Sequence, residues 1–265
     1  MDKIYQEVKK GKYLFNSGQV RDLTKIDLSN GYSLIIAVDS DGGIGSRPGD
    51  TVKCNDYLLG RLSMRVPLME ILGSGSLPLA AFNVLTFPMD VHAKEIIRGI
   101  REELSDAGLG RDFPLSGSTE DNVITRETGL GTMVVGIVHK DDFRPGSSLP
   151  DDNVLCVGIP KSAPEDELSI DDTEILKWHH LRKILNQSNV HDLLPVGSKG
   201  VLYEAHNMAE TAKLKFLANS NSVFDFYKSA GPSTCIILSC TGKFEKTLQK
   251  MLDVPIINVG RLNQN

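Results

Sequence analysis

Short apolar runs separated by longer amphipathic stretches set the strongest limit on how this chain folds. Six such runs, at 33–38, 78–85, 132–138, 153–159, 234–239 and 256–259, predict strands. Between them, apolar residues recur at three-to-four spacing over 57–72 and 92–107. Gly73 and Gly108 follow these stretches, as helix stops do. The second half predicts further helices over 171–186, 200–217 and 241–252. Strands and helices mixed along the whole chain define an α/β (α+β) class. The 265 residues suit one large domain or two ordinary ones. A Gly-, Pro- and Asp-rich stretch at 141–152 reads as a linker, which predicts domains at 1–145 and 150–265.

Composition removes several classes of function. The net charge is −5 and charges of both signs are spread along the chain, so no basic face for nucleic acid or an anionic membrane is expected. No stretch reaches the roughly 18 to 20 apolar residues that span a bilayer, and the charged segment 1–12 lacks the apolar core of a signal peptide. Cys54, Cys156, Cys235 and Cys240 are scattered, without the CxxC spacing of zinc or redox sites. These features predict a soluble cytoplasmic protein with reduced thiols.

Acids beside glycines carry the chemical signal. Asp39-Ser40-Asp41-Gly42-Gly43-Ile44-Gly45 follows a predicted strand, and Arg21-Asp22 precedes that strand. Carboxylates converging past a strand end suit Mg²⁺, which prefers hard oxygen ligands and often bridges to phosphates. The glycines let backbone N–H groups approach an anion. The same segment also reads as an acidic hairpin turn, because Asp-Gly is an ordinary turn dipeptide.

A second group, 115–122, combines small residues with Thr119, Glu120 and Asp121, and reads equally as a polar loop. A third, 195–200, sets Gly197-Ser198-Lys199-Gly200 before a predicted helix. It offers an anion backbone donors and a lysine, or is a capped helix start with an exposed lysine. Arg61 and Arg65 stand four residues apart on one helix face, as a phosphate clamp or as partners of Asp56 or Glu70. His179-His180 reads as a partly buried helix face rather than a metal pair. No P-loop, nucleophile elbow, HExxH or dinucleotide fingerprint is present.

Taken in order, these segments resemble the aminoimidazole-ribonucleotide synthetase-like ATP-binding superfamily over nearly the whole chain. Arg21-Asp22 through Asp41 is similar to its first acidic hairpin, and 69–78 (MEILGSGSLP) to its N-D-[IL]-x-x-M-G-A-x-P segment. Ser116-Gly117-Ser118-Thr119 is similar to its G-G-[DE]-T, 228–231 (KSAG) to its S-G-T, and 254–262 (VPIINVGRL) to its closing A-x-x-I-G-x-[IV]. The strings DSDGGIGSRPGD, RVPLMEILGSG, GSTEDN and LPVGSKGVLYEA resemble the α-ribazole kinase branch.

The resemblance implies a two-domain fold whose N-terminal sheet pairs across a homodimer, with ATP and Mg²⁺ along the N-terminal domain near the seam. It implies Asp22, Asp39, Asp41 and Glu70 as metal ligands, with Asp22, Asp39 and Asp41 also holding the ATP phosphates. Gly117, Ser118, Thr119 and Glu120 fall on the nucleotide side, with Asp121 a further metal ligand. Glu70 and Ser118 each replace an Asp or Glu of the family pattern, and Lys199 replaces an Asp. Lys199, Arg65 or Lys228 would neutralise the transferred phosphoryl group.

The implied reaction is ATP-dependent phosphorylation of a nucleoside-like small molecule, the 5′-hydroxyl of α-ribazole. A thiamine-monophosphate kinase-like reaction and a non-catalytic ATP-binding regulator are the alternatives. The hydrogenase-maturation dehydratases use a C-terminal cysteine, and this chain ends in GRLNQN. Selenophosphate synthetases use a Cys or Sec near the N-terminus, and the first cysteine here is Cys54. Neither chemistry is expected.

Overall fold

Strand β3 (Tyr32–Gly42) shows how the first sheet is built. Ser33, Ile35 and Ala37 are buried on one face, while Tyr32 and Val38 are exposed on the other, the period-two alternation of a strand covered on one side. In the computed structural model, which describes residues 5, 6, 9, 17–219 and 224–264, β3 follows β1 (Ser17–Val20) and β2 (Leu23–Asp27). A short parallel pair, β4 (Ile44–Gly45) and β5 (Val52–Lys53), comes next. Then come β6 (Leu77–Leu85), β7 (Leu115–Thr119) and β8 (Gly129–His139). The six-stranded sheet runs β1-β2-β3-β8-β6-β7, antiparallel except between β6 and β7.

Two helices cover its buried face. Helix α1 (Asp56–Gly73) starts where the Asn55 side chain accepts from the backbone N–H of Tyr57 and Leu58, an N-cap that satisfies otherwise orphaned donors. Helix α2 (Val91–Asp106) packs against it through two glycines. A Cβ on Gly60 would lie 2.0 Å from the Ile96 carbonyl oxygen, and one on Gly99 2.0 Å from that of Tyr57. Backbone meets backbone there.

The second sheet contains β9 (Asn153–Val157), β10 (Val190–Pro195), β11 (Lys215–Ala218), β12 (Ile236–Cys240) and β13 (Ile256–Asn263), ordered β10-β12-β9-β13-β11 and antiparallel throughout. Its helices are α3 (Trp178–Leu185), α4 (Gly200–Thr211) and α5 (Glu245–Met251). Both faces are covered. Leu155, Val157, Ile236 and Leu238 join the core formed by α1, α2, α3 and the first sheet. Val154, Cys156 and Ile237 join a second core under α4. Two-sided burial is why β9 and β12 read as continuous apolar runs rather than alternations.

The helices expected over 171–186 and 200–217 are shorter than the periodicity suggests. Residues 171–177 form turns rather than helix, where Lys161 ties Asp172 and Glu174 and the Leu176 N–H bonds to the Thr234 carbonyl. Helix α4 stops at Thr211 because Lys213 turns to φ +58°, after which 215–218 joins the sheet edge as β11. No helix among the described residues is long and apolar enough to cross a membrane.

Candidate active site

The site begins at the β1–β2 turn. Arg21 adopts φ +56°, and its guanidinium forks onto Asp192 of β10 and donates to Thr211 Oγ1 of α4 at 3.2 Å. Asp192 also accepts the Gly146 N–H at 3.0 Å. Both charged side chains are buried, at 2% and 0% exposure. This pair pins the turn and with it Asp22, the next residue. β3 stays hydrogen-bonded to β8 as far as Gly42, so Asp39 and Asp41 continue the face of Ser33, Ile35 and Ala37 and lie against α1.

Asp22, Asp39, Asp41, Glu70 of α1, and Lys199, Tyr203 and Glu204 at the start of α4 line one cavity of about 530 Å³. Four of the expected residues on this cavity are acids from three separate segments, and Lys199 is the expected cation that joins them. Glu204, 4% exposed, was not singled out in the sequence. One turn into an amphipathic helix, an acid looks like ordinary helix surface.

Crowded carboxylates in a half-buried site disfavour one another's charge. Burial first, then Asp22, Asp39 and Glu204, push the Glu70 carboxyl up to about 8. Burial and Asp22 raise Glu204 to about 7. Burial and Asp41 raise Asp39 to about 6. Asp41 is also raised by burial, against a hydrogen bond from Ser63. Its Oδ2 atom is buried without a hydrogen-bond partner. An orphaned carboxylate oxygen among hard oxygen donors fits a Mg²⁺ ion, whose charge offsets the crowding. Lys199 is exposed, with Nζ 3.1 Å from Tyr203 Oη and 4.2 Å from the centre of its ring.

The remaining expected residues stand elsewhere. Gly117, Ser118 and Thr119 lie on β7, at the opposite sheet edge from β1. Glu120 accepts from the N–H groups of Asn122 and Val123, and Asp121 from Met89 N and Thr119 Oγ1. Lys228 is paired with Asp166 at 2.7 Å. Arg65 is buried against Glu103, the carbonyl oxygens of Ser233 and Leu176, and the Trp178 ring. Arg61 shares Glu103 and reaches Asp106. The partners of this arginine pair are acids of α2, neither Asp56 nor Glu70. His180 is buried in the helix face expected of it, accepting the Lys177 N–H at Nδ1 and meeting Asp253 at Nε2.

This architecture is the aminoimidazole-ribonucleotide synthetase-like fold, shared with known structures along the whole chain. Thiamine monophosphate kinase from Aquifex aeolicus superposes with a TM-score of 0.64 at 13% identity, covering 99% of this chain and 94% of that one. T. maritima PurL complexed with ADP superposes with a TM-score of 0.65 at 15% identity, covering 98% of this chain and 45% of that one. In sequence, the chain is 25% identical over 183 residues to the selenide, water dikinase of Caldanaerobacter subterraneus subsp. tengcongensis. That match covers 63% of this chain and about half of the relative, 51%. No family model matches the chain.

Proposed function

We propose that the chain is an Mg²⁺-dependent ATP phosphotransferase that phosphorylates the 5′-hydroxyl of α-ribazole. The observation that carries this reading is the convergence of Asp22, Asp39, Asp41, Glu70 and Glu204 with Lys199 on one cavity. Phosphoryl transfer needs positioning and charge neutralisation more than covalent chemistry. Asp22, Asp39, Asp41 and Glu70 hold Mg²⁺ in this reading, and the orphaned Asp41 oxygen is the atom best placed to gain from it. When bound, the ion supplies positive charge against the ATP phosphates. Lys199, exposed and hinged on Tyr203, neutralises the transferred group. A loose transition state asks little of a base, and none is assigned.

The α-ribazole acceptor rests on the sequence strings at 39–50, 65–75, 117–122 and 194–205. Full-length likeness in fold to thiamine monophosphate kinase favours a second reading, transfer to thiamine monophosphate. ADP release with Mg-ATP and each acceptor separates them. ADP with α-ribazole alone supports the first reading and ADP with thiamine monophosphate alone the second. ATP binding without turnover of either makes the chain a nucleotide-binding regulator.

We also propose a homodimer formed on the face of the first sheet opposite α1 and α2. Tyr32, Val38, Leu77 and Val84 are 46%, 65%, 69% and 54% exposed there, a concentration of apolar side chains that marks an interaction surface.

A further inference from the structure

A second cavity, of about 340 Å³, adjoins the carboxylate cavity and shares Asp39, Asp41, Val66 and Gly231 with it. One part of its lining is apolar: Leu58, Leu62 and Val66 of α1, Ile44 and Val52 of the β4–β5 pair, and Pro232. We propose that this slot holds the phosphoryl acceptor, and that the acceptor is an uncharged, largely apolar ring system bearing a hydroxyl rather than a phosphate monoester. The inference rests on the phosphotransferase reading and gives its acceptor a place and a chemical class.

Three observations carry it. The volume lies within the range of small-molecule pockets and suits one heterocycle with a small polar appendage. Asp39 and Asp41 border both cavities, so a ring buried in the slot presents its hydroxyl at the acids where the phosphoryl donor is held. The charges on the walls oppose a phosphate. Asp166 and Glu167 line the slot in addition to Asp39 and Asp41, against one wall lysine, Lys53. The Lys53 ammonium is already bonded to the Arg47 carbonyl at 2.9 Å, and Asp166 is already matched by Lys228. A dianion entering here meets Asp166 and Glu167 with Lys53 as the one cation on the wall, while an uncharged ring packs against the apolar side chains.

Cys54 lies on the slot wall, and among the four cysteines it alone is partly exposed, the others being buried. That gives a readout independent of turnover. The full chain, without nucleotide, is treated with methyl methanethiosulfonate in the presence of α-ribazole, thiamine monophosphate or inorganic phosphate, and Cys54 modification is followed by mass spectrometry. In parallel, Val52→Trp, placed on the short strand at the slot and checked for folding by circular dichroism, is assayed for the KM of each substrate.

The expected result is protection of Cys54 by α-ribazole and not by the two phosphates. Val52→Trp then raises the α-ribazole KM roughly 10-fold or more, the scale on which a hydrophobic pocket discriminates by shape, and leaves the ATP KM unchanged. Ile44→Trp serves if Val52→Trp fails to fold. Protection by thiamine monophosphate equal to that by α-ribazole would overturn the uncharged class. Turnover of α-ribazole with unprotected Cys54 and an unchanged KM in the variant would overturn the slot and leave the phosphotransferase standing. Protection by α-ribazole without phosphorylation would uphold the slot and sink the phosphotransferase reading.

Discussion

Glu70 concentrates the physics of this site. Its carboxyl is pushed up to about 8 from an ordinary value of 4.5, by burial and by the neighbouring acids. A carboxyl raised in the folded state binds more protons folded than unfolded between those values, so its stabilising contribution is complete below the ordinary value and lost as pH rises through about 8. Glu204 and Asp39 act in the same direction below it, through about 7 and about 6. The melting temperature of metal-free protein therefore falls as pH is raised from 5 to 8.5, and Glu70→Gln flattens that fall. Mg²⁺ with nucleotide favours the ionised forms and raises the melting temperature most at the alkaline end. A melting series across pH, with and without Mg-ATP, checks both slopes. Asp22, Asp39, Asp41 and Glu70 were singled out in the sequence by acids near glycines matched to a motif order, and the structure brings all four to one cavity. Glu204 was not, since its place on the cavity depends on where α4 starts and which face that start turns inward. Arg65 was misleading for a related reason. Spacing of four on a helix does not distinguish a ligand clamp from a buried pairing with Glu103, thirty-eight residues further along the chain.

Among the elements, the β1–β2 turn depends on the Arg21–Asp192 pair, which joins strands of two sheets. Removing one partner of a buried pair leaves the other charge uncompensated, at about 3 to 5 kcal/mol. Asp192→Asn is predicted to lose stability on that scale in urea unfolding, and to weaken Mg-ATP binding because Asp22 loses its anchor. Helix packing makes a separate prediction. Gly60→Ala drives a methyl into the Ile96 carbonyl, and Gly60→Ala is expected to cost about 1 to 3 kcal/mol, measured the same way. Strand β8 was legible because alternate residues are buried along its length, and β9 and β12 because nearly every residue is. Strands β1 and β7 carry mostly polar, exposed side chains at the sheet edges, and β2 beside β1 buries Leu23 alone, so hydrophobic periodicity was silent about them. Strand β11 follows a helix closely enough for Leu214, Phe216 and Leu217 to extend the helical pattern.

For the molecule as a whole, the face of the first sheet opposite α1 and α2 and the carboxylate cavity make different predictions. Leu77 is 69% exposed, and Leu77→Asp on a sheet-paired dimer places two charges in an apolar seam. Sedimentation velocity is expected to show a dimer for the wild type and a monomer for this variant. The mixed class was legible from the interleaving of short and long patterns. The meeting of the β1–β2 turn, the end of β3, α1 and α4 at one cavity was implied only by the resemblance and not by periodicity, because it is set by packing between the two sheets. The most direct measurement compares wild type with Asp41→Asn, given Mg-ATP and α-ribazole, for ADP and phosphorylated α-ribazole. Equal amounts of both products are expected from the wild type and neither above background from Asp41→Asn. Wild-type protein that binds ATP yet forms neither product, or an Asp41→Asn variant as active as the wild type, would contradict phosphoryl transfer at the carboxylate cavity.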